Sequence, residues 1–107
     1  MRITTLAIAV AGLSLAVPTV GRAIDGALVY QTRCAKCHGD TGKADTPVAK
    51  PLKVPALASD QKIAATPPAE IAKMIKENPK HATFVSKVSA EDLDAVAAYV
   101  KGLAAAK

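Results

Sequence analysis

The sequence predicts an all-α domain with three main helices. Apolar residues recur at helical spacing, cap residues stand where three helical segments begin, and no stretch alternates apolar and polar residues as a half-buried strand does. Asp25 caps the first helix, whose Ala27, Leu28, Tyr30 and Gln31 run directly into Cys34. From Gly39 to Ala65 the chain carries Gly42, Pro47, Pro51 and Pro55, which predict an irregular loop with one short helical turn near Ser59. Thr66 as cap and Pro67 as first helical residue open the second helix. Its Ile71, Met74 and Ile75 form an apolar stripe that ends at Asn78, before Pro79. After a loop from Pro79 to Val88, Ser89 caps a third helix. Glu91, Asp92 and Asp94 favour its positive N-terminal end, and Leu93, Val96, Ala97, Val100 and Leu103 form its buried face.

Residues 1–23 read as a secretory signal. Arg2 supplies the positive end, and no charged residue appears from Ile3 to Val17, an apolar run shorter than the ~20 residues of a membrane-spanning helix. Pro18 ends the run, and Gly21 and Ala23 place small residues at a cleavage site, so the mature domain is expected to cover residues 24–107 and to reside in the periplasm.

Removing 23 of the 107 residues leaves 84, enough for one domain but marginal for a core made only of protein. The mature part has Tyr30, Phe84 and Tyr99 as its aromatic residues and no Trp, so a large flat cofactor would fill a real deficit of buried area. Loss of Arg2 and Arg22 lowers the formal charge from +5 to +3. The lysines are scattered and no aromatic–Arg platform accompanies them, which argues against nucleic acid.

Cys34-Ala35-Lys36-Cys37-His38 is a C-x-x-C-H arrangement. Two thiols three positions apart can add to the two vinyl groups on one edge of a haem, and the adjacent histidine then lies beneath the ring, where it binds iron from the proximal side. Three other readings compete. A disulfide between Cys34 and Cys37 would close a very short loop and stabilise little. A zinc site would need both cysteines and both histidines, and His38 abutting Cys37 does not fit the usual spacing. A thioredoxin-like dithiol would need a βαβ context that is missing here.

Over residues 25–104 the chain resembles the class I, small bacterial monohaem cytochromes c. Gly26 and Tyr30 on the first helix and Val96 and Tyr99 on the last match the family's helix-crossing positions, and Gly39, Gly42 and Lys43 match the run after the haem motif. The resemblance implies a small cytochrome c fold, with three main helices around one covalently attached haem c and its iron. Tyr30, Pro55 and Phe84 would belong to the haem pocket. Pro55 is the best candidate for the carbonyl that orients His38, with Pro47 and Pro51 as alternatives. The family normally supplies a distal Met shortly before the last helix. In that register this chain reads His81-Ala82-Thr83-Phe84, so His81 is the expected distal ligand and Met74, in the second helix, its rival.

Two imidazoles favour ferric iron more than a His/Met pair does, and so imply a lower reduction potential. With both axial positions filled, the chain would be a one-electron carrier between redox partner proteins, expected to be monomeric and without a substrate of its own. Lys36, Lys43, Lys80 and Lys87 flank the haem-binding segments and could steer docking to acidic partners. The alternatives are a five-coordinate or labile haem that binds small gases or reduces peroxide, and a dedicated subunit of a larger redox enzyme.

Overall fold

The computed structural model describes residue 12 and residues 24–106, so the secretory signal read over residues 1–23 lies, Gly12 apart, outside the described residues. The described residues form an all-α fold without strands. Helix α1 (Gly26–Arg33) starts where the Asp25 carboxylate accepts from the N–H groups of Ala27 and Leu28, at 3.0 and 3.4 Å. Helix α2 (Ala35–His38) follows almost without interruption, because Cys34 N–H still bonds the Tyr30 carbonyl at 2.8 Å and Cys34 in turn accepts from His38 N–H at 2.9 Å. Gly39, at φ 86°, then turns the chain out of the helix in a conformation that a Cβ would oppose.

The expected turn near Ser59 is helix α3 (Gln61–Ala64), two residues further on and capped by the Asp60 carboxylate at 2.9 and 3.1 Å. Helix α4 spans Pro68–Glu77 and starts one residue later than the cap pattern predicts. The cause is Pro68, whose ring forces the preceding residue into extended backbone: Pro67, at ψ 147°, is therefore the cap and not the first helical residue. Thr66 serves α3 instead, its hydroxyl donating to the Lys62 carbonyl at 2.6 Å.

The segment expected to be a loop after α4 is more ordered than its composition suggests. A 3-10 turn over Pro79–His81, capped by Asn78 Oδ1 at 3.0 Å from Lys80 N–H, leads into the single-turn helix α5 (Ala82–Val85). Helix α6 (Ala90–Ala105) is capped by the Ser89 hydroxyl, which accepts from Asp92 N–H at 3.1 Å. It packs against α1, α3 and α4 and is the centre of the fold. Leu93, Val96, Ala97, Val100 and Ala104 are its buried residues, whereas Leu103 is half-buried and packs beside the core. Lys101 ties α6 to the end of α3 through the carbonyls of Ala64 and Thr66, at 2.6 and 2.9 Å.

One expectation about the core is corrected. Met74 does not share the buried stripe of α4: it is 54% exposed, while Ile71 and Ala72 are buried and Ile75 packs on the core. At 100° per residue the direction common to positions 71, 72 and 75 lies about 105° away from position 74, which puts Met74 on the flank of the helix.

Gly26 fixes how closely α1 and α6 cross. A Cβ built there would run into the carbonyl of Ala95 and press on Tyr99. Gly26→Val is therefore expected to lower stability by about 2–3 kcal/mol through forced separation of the helices, or roughly 10–20 °C in thermal midpoint for a domain of this size. Thermal unfolding of the holoprotein checks this. Among the described residues no helix is long and apolar enough to cross a membrane.

Candidate haem site

The α1–α2 stretch places Cys34, Cys37 and His38 on one continuous run of helix. Its anchor is Tyr30, fully buried one turn earlier: the ring packs against Tyr99 with centroids 5.2 Å apart, and the hydroxyl donates to the Gly39 carbonyl at 2.7 Å. Thr46 Oγ1 donates to the Cys37 carbonyl at 2.9 Å, and Ala44 N–H to that of His38 at 2.7 Å. The motif is thus clamped at three successive carbonyls before any cofactor contact is considered.

Burial, then the neighbouring charges of Cys34, Tyr99, Asp40 and Asp45, push the Tyr30 hydroxyl up to about 12. A raised pKa means that the folded state favours the protonated phenol. Its stabilising contribution is full below pH 10 and is lost as pH rises from about 10 to about 12. Tyr30→Phe removes the hydroxyl's bond and leaves the Gly39 carbonyl only the Gly42 N–H at 3.1 Å, and should cost about 1 kcal/mol at pH 7. It should also remove part of the alkaline loss of stability, as urea unfolding at pH 7 and pH 11 would measure.

Cys34 and Cys37 are unpaired and half-buried. Burial, and after it the proximity of Cys37, raises Cys34 to about 11, so Cys34 remains a thiol at neutral pH. No group of three or more His, Cys, Asp or Glu side chains is gathered for a metal ion among the described residues, which counts against the zinc reading. The absence of strands among the described residues removes the βαβ context that a thioredoxin-like dithiol needs.

His38 Nδ1 lies 3.1 Å from the Pro55 carbonyl. A carbonyl can only accept, so Nδ1 carries the proton and Nε2 keeps its lone pair. Burial holds His38 below the ordinary imidazole value, against the opposing effect of the Pro55 bond and with a further lowering from His81, so the ring is neutral and able to bind a metal at neutral pH. Of the three loop prolines considered, Pro55 is the one bonded to His38.

His81 mirrors this arrangement. Its Nδ1 lies 2.9 Å from the Ile75 carbonyl, which again leaves Nε2 as the free nitrogen. That carbonyl belongs to the last turn of α4, where helix acceptors lack partners within the helix, so His81 also closes the end of α4. The His38 and His81 rings lie with centroids 6.3 Å apart and planes inclined at 48°. Metal–imidazole bonds of about 2 Å on opposite sides of one atom place ring centres roughly 6 Å apart, so the separation suits a single metal atom. Met74, exposed on the flank of α4, is not the side chain that faces His38. Phe84, on α5 three residues after His81, is partly buried against the core.

These residues fit a covalently held haem: two free thiols on one helical run, an adjacent imidazole with a fixed tautomer, and a second imidazole at a separation that suits one metal atom between them. Three contributions were not legible beforehand, namely the Ile75 carbonyl, the Thr46 hydroxyl and a bond from Lys80 Nζ to the Leu52 carbonyl at 2.8 Å. The first and third depend on how the chain folds back on itself. Only Asn78-Pro79, a turn-starting pair, hinted that the segment before His81 is ordered.

Among known proteins, the family described as cytochrome C oxidase, cbb3-type, subunit III matches residues 21–100. No curated protein and no solved structure matches the chain. The family match covers the helical run with its two cysteines, both histidines and most of α6, and so the chain belongs to that family, as a class I-like monohaem cytochrome c domain that binds haem c and its iron covalently and transfers electrons.

Proposed function

We propose that the chain is an exported periplasmic carrier of single electrons, with His38 as proximal and His81 as distal ligand of a low-potential haem iron. The observation that carries this reading is the close pair of imidazoles, ring centroids 6.3 Å apart, each with Nδ1 bound to a backbone carbonyl and Nε2 left free. The haem supplies the one-electron chemistry, attached through Cys34 and Cys37. The chain's own residues do the rest. Pro55 and Ile75 orient the two rings, Tyr30 and Thr46 hold the attachment segment, and Phe84 adds apolar cover beside His81. With both axial positions occupied by side chains, no open site is left for a substrate, so electrons pass to and from redox partner proteins. Lys36, Lys43 and Lys87 are the cations proposed to steer acidic partners. Lys80 is engaged at Leu52 and is a weaker member of that group.

Carbon monoxide added to the reduced protein tests the reading. A slow and incomplete spectral change is expected, because His81 must leave the iron first. An immediate and complete change would contradict His81 ligation and favour a labile or five-coordinate haem.

The family description favours a second reading at the level of assembly, since it names an oxidase subunit. In that case the same iron passes electrons within a complex. Purification from the source organism distinguishes the two: a stable partner that survives chromatography indicates a subunit, and a lone chain indicates a free carrier.

A further inference from the structure

One exposed side chain joins the turn that carries His81 to the loop that orients His38. Lys80 immediately precedes His81 in the 3-10 turn, and its Nζ reaches across to the carbonyl of Leu52 at 2.8 Å. Leu52 lies three residues before Pro55, whose carbonyl orients His38. Between them Lys53 sits at φ 53°, a left-handed conformation that a side chain adopts only when its surroundings hold it. Local bonds also hold the 52–54 stretch, since Leu52 N–H reaches the Val48 carbonyl and Val54 N–H the Ala49 carbonyl, at 3.2 and 2.8 Å. The Leu52 carbonyl is therefore a fixed point, while the short turn carrying His81 is tied to the rest of the fold by few bonds. Those are the bonds from Lys80 N–H and His81 N–H to Asn78, the His81–Ile75 bond and the Lys80 strap. The strap is the bond among them that joins the distal histidine's segment to the proximal histidine's loop.

We propose that Lys80 is a positioning residue for the distal ligand: by bonding the Leu52 carbonyl it keeps the turn bearing His81 closed over the iron and limits how often His81 leaves it. This rests on the reading of His81 as distal ligand. An external ligand can bind only while His81 is away. Its binding rate therefore reports the population of the open turn. Removing the strap raises that population without altering which side chains bind iron when the turn is closed. The side chain is exposed, so its bond competes with water and with the rotamer entropy of Lys, and the effect is moderate.

The test is cyanide binding to the ferric holoprotein, followed by stopped-flow absorbance in the wild type, Lys80→Leu, Lys80→Arg and His81→Ala. Lys80→Leu keeps the apolar stem and removes the donor, and should bind cyanide about three- to tenfold faster, with an unchanged low-spin spectrum before mixing and a thermal midpoint close to wild type. Lys80→Arg still donates to a carbonyl and should return the rate to within about twofold of wild type. Equal or slower binding in Lys80→Leu would overturn the proposal, as would failure of Lys80→Arg to restore slow binding; loss of the lysine's charge alone would slow the approach of cyanide anion. His81→Ala separates this failure from failure of the underlying reading. If His81→Ala retains the wild-type low-spin spectrum and binds cyanide no faster, His81 is not the ligand and both readings fall. If it binds cyanide fast while Lys80→Leu remains slow, only the strap falls.

Discussion

Replacing both Cys34 and Cys37 with Ala is expected to yield a chain without covalent haem that has lost most of its helical structure. Two features of the fold lead to this. A globule of about this size rarely draws more than ~3–5 kcal/mol from a single core, and here the large buried side chains are few, with Tyr30 and Val96 the largest that are fully enclosed. Leu28, Leu52 and Met74, which could have enlarged that core, are exposed instead. The attachment segment is also where α1, α2 and the loop after Gly39 converge, through the bonds of Tyr30, Thr46 and Ala44. A covalent cofactor there removes chain entropy from the unfolded state and adds flat apolar surface to the folded one. Far-ultraviolet circular dichroism of the double variant checks this, and full helical content with cooperative unfolding would contradict it.

His81→Met is expected to raise the reduction potential by on the order of 0.1–0.3 V, part of the ~0.8 V span that axial ligation covers. The thioether favours ferrous iron, whereas imidazole donates more strongly and favours ferric iron. The environment of His81 accentuates this contrast, because its Nδ1–H is held by the Ile75 carbonyl at the negative end of α4. That bond makes the ring a stronger donor to whatever Nε2 binds. Met at this position loses both the imidazole and the bond to α4, so some loss of stability should accompany the rise in potential. Equilibrium redox titration of the two proteins measures the difference. Equal potentials would show that residue 81 is not an axial ligand.

Most of the helical framework follows from short-range chemistry and is legible in the sequence. Asp25, Ser89 and the apolar spacing of α6 act within one or two turns of the chain, and the folded protein keeps them where the pattern puts them. The two differences at α4 have equally local causes in hindsight. Pro68 outranks Thr66 and Pro67 in setting the start, and the angular position of Met74 removes it from the stripe. The segment between Pro79 and Val88 was harder to read, because its order comes from a 3-10 turn and a single turn of helix too short to show periodicity. The haem motif is explicit in Cys34, Cys37 and His38. The second histidine could be placed only by register. The bonds of His38 to Pro55, His81 to Ile75 and Lys80 to Leu52 join residues between 6 and 28 positions apart, which sequence spacing does not encode.

Low-temperature electron paramagnetic resonance of the ferric holoprotein beside its His81→Ala variant reads the ligation of the iron by His81. A low-spin bis-imidazole signal is expected in the wild type, and a high-spin signal in its place in the variant. An unchanged low-spin signal in His81→Ala, or a high-spin wild type, would contradict His81 ligation.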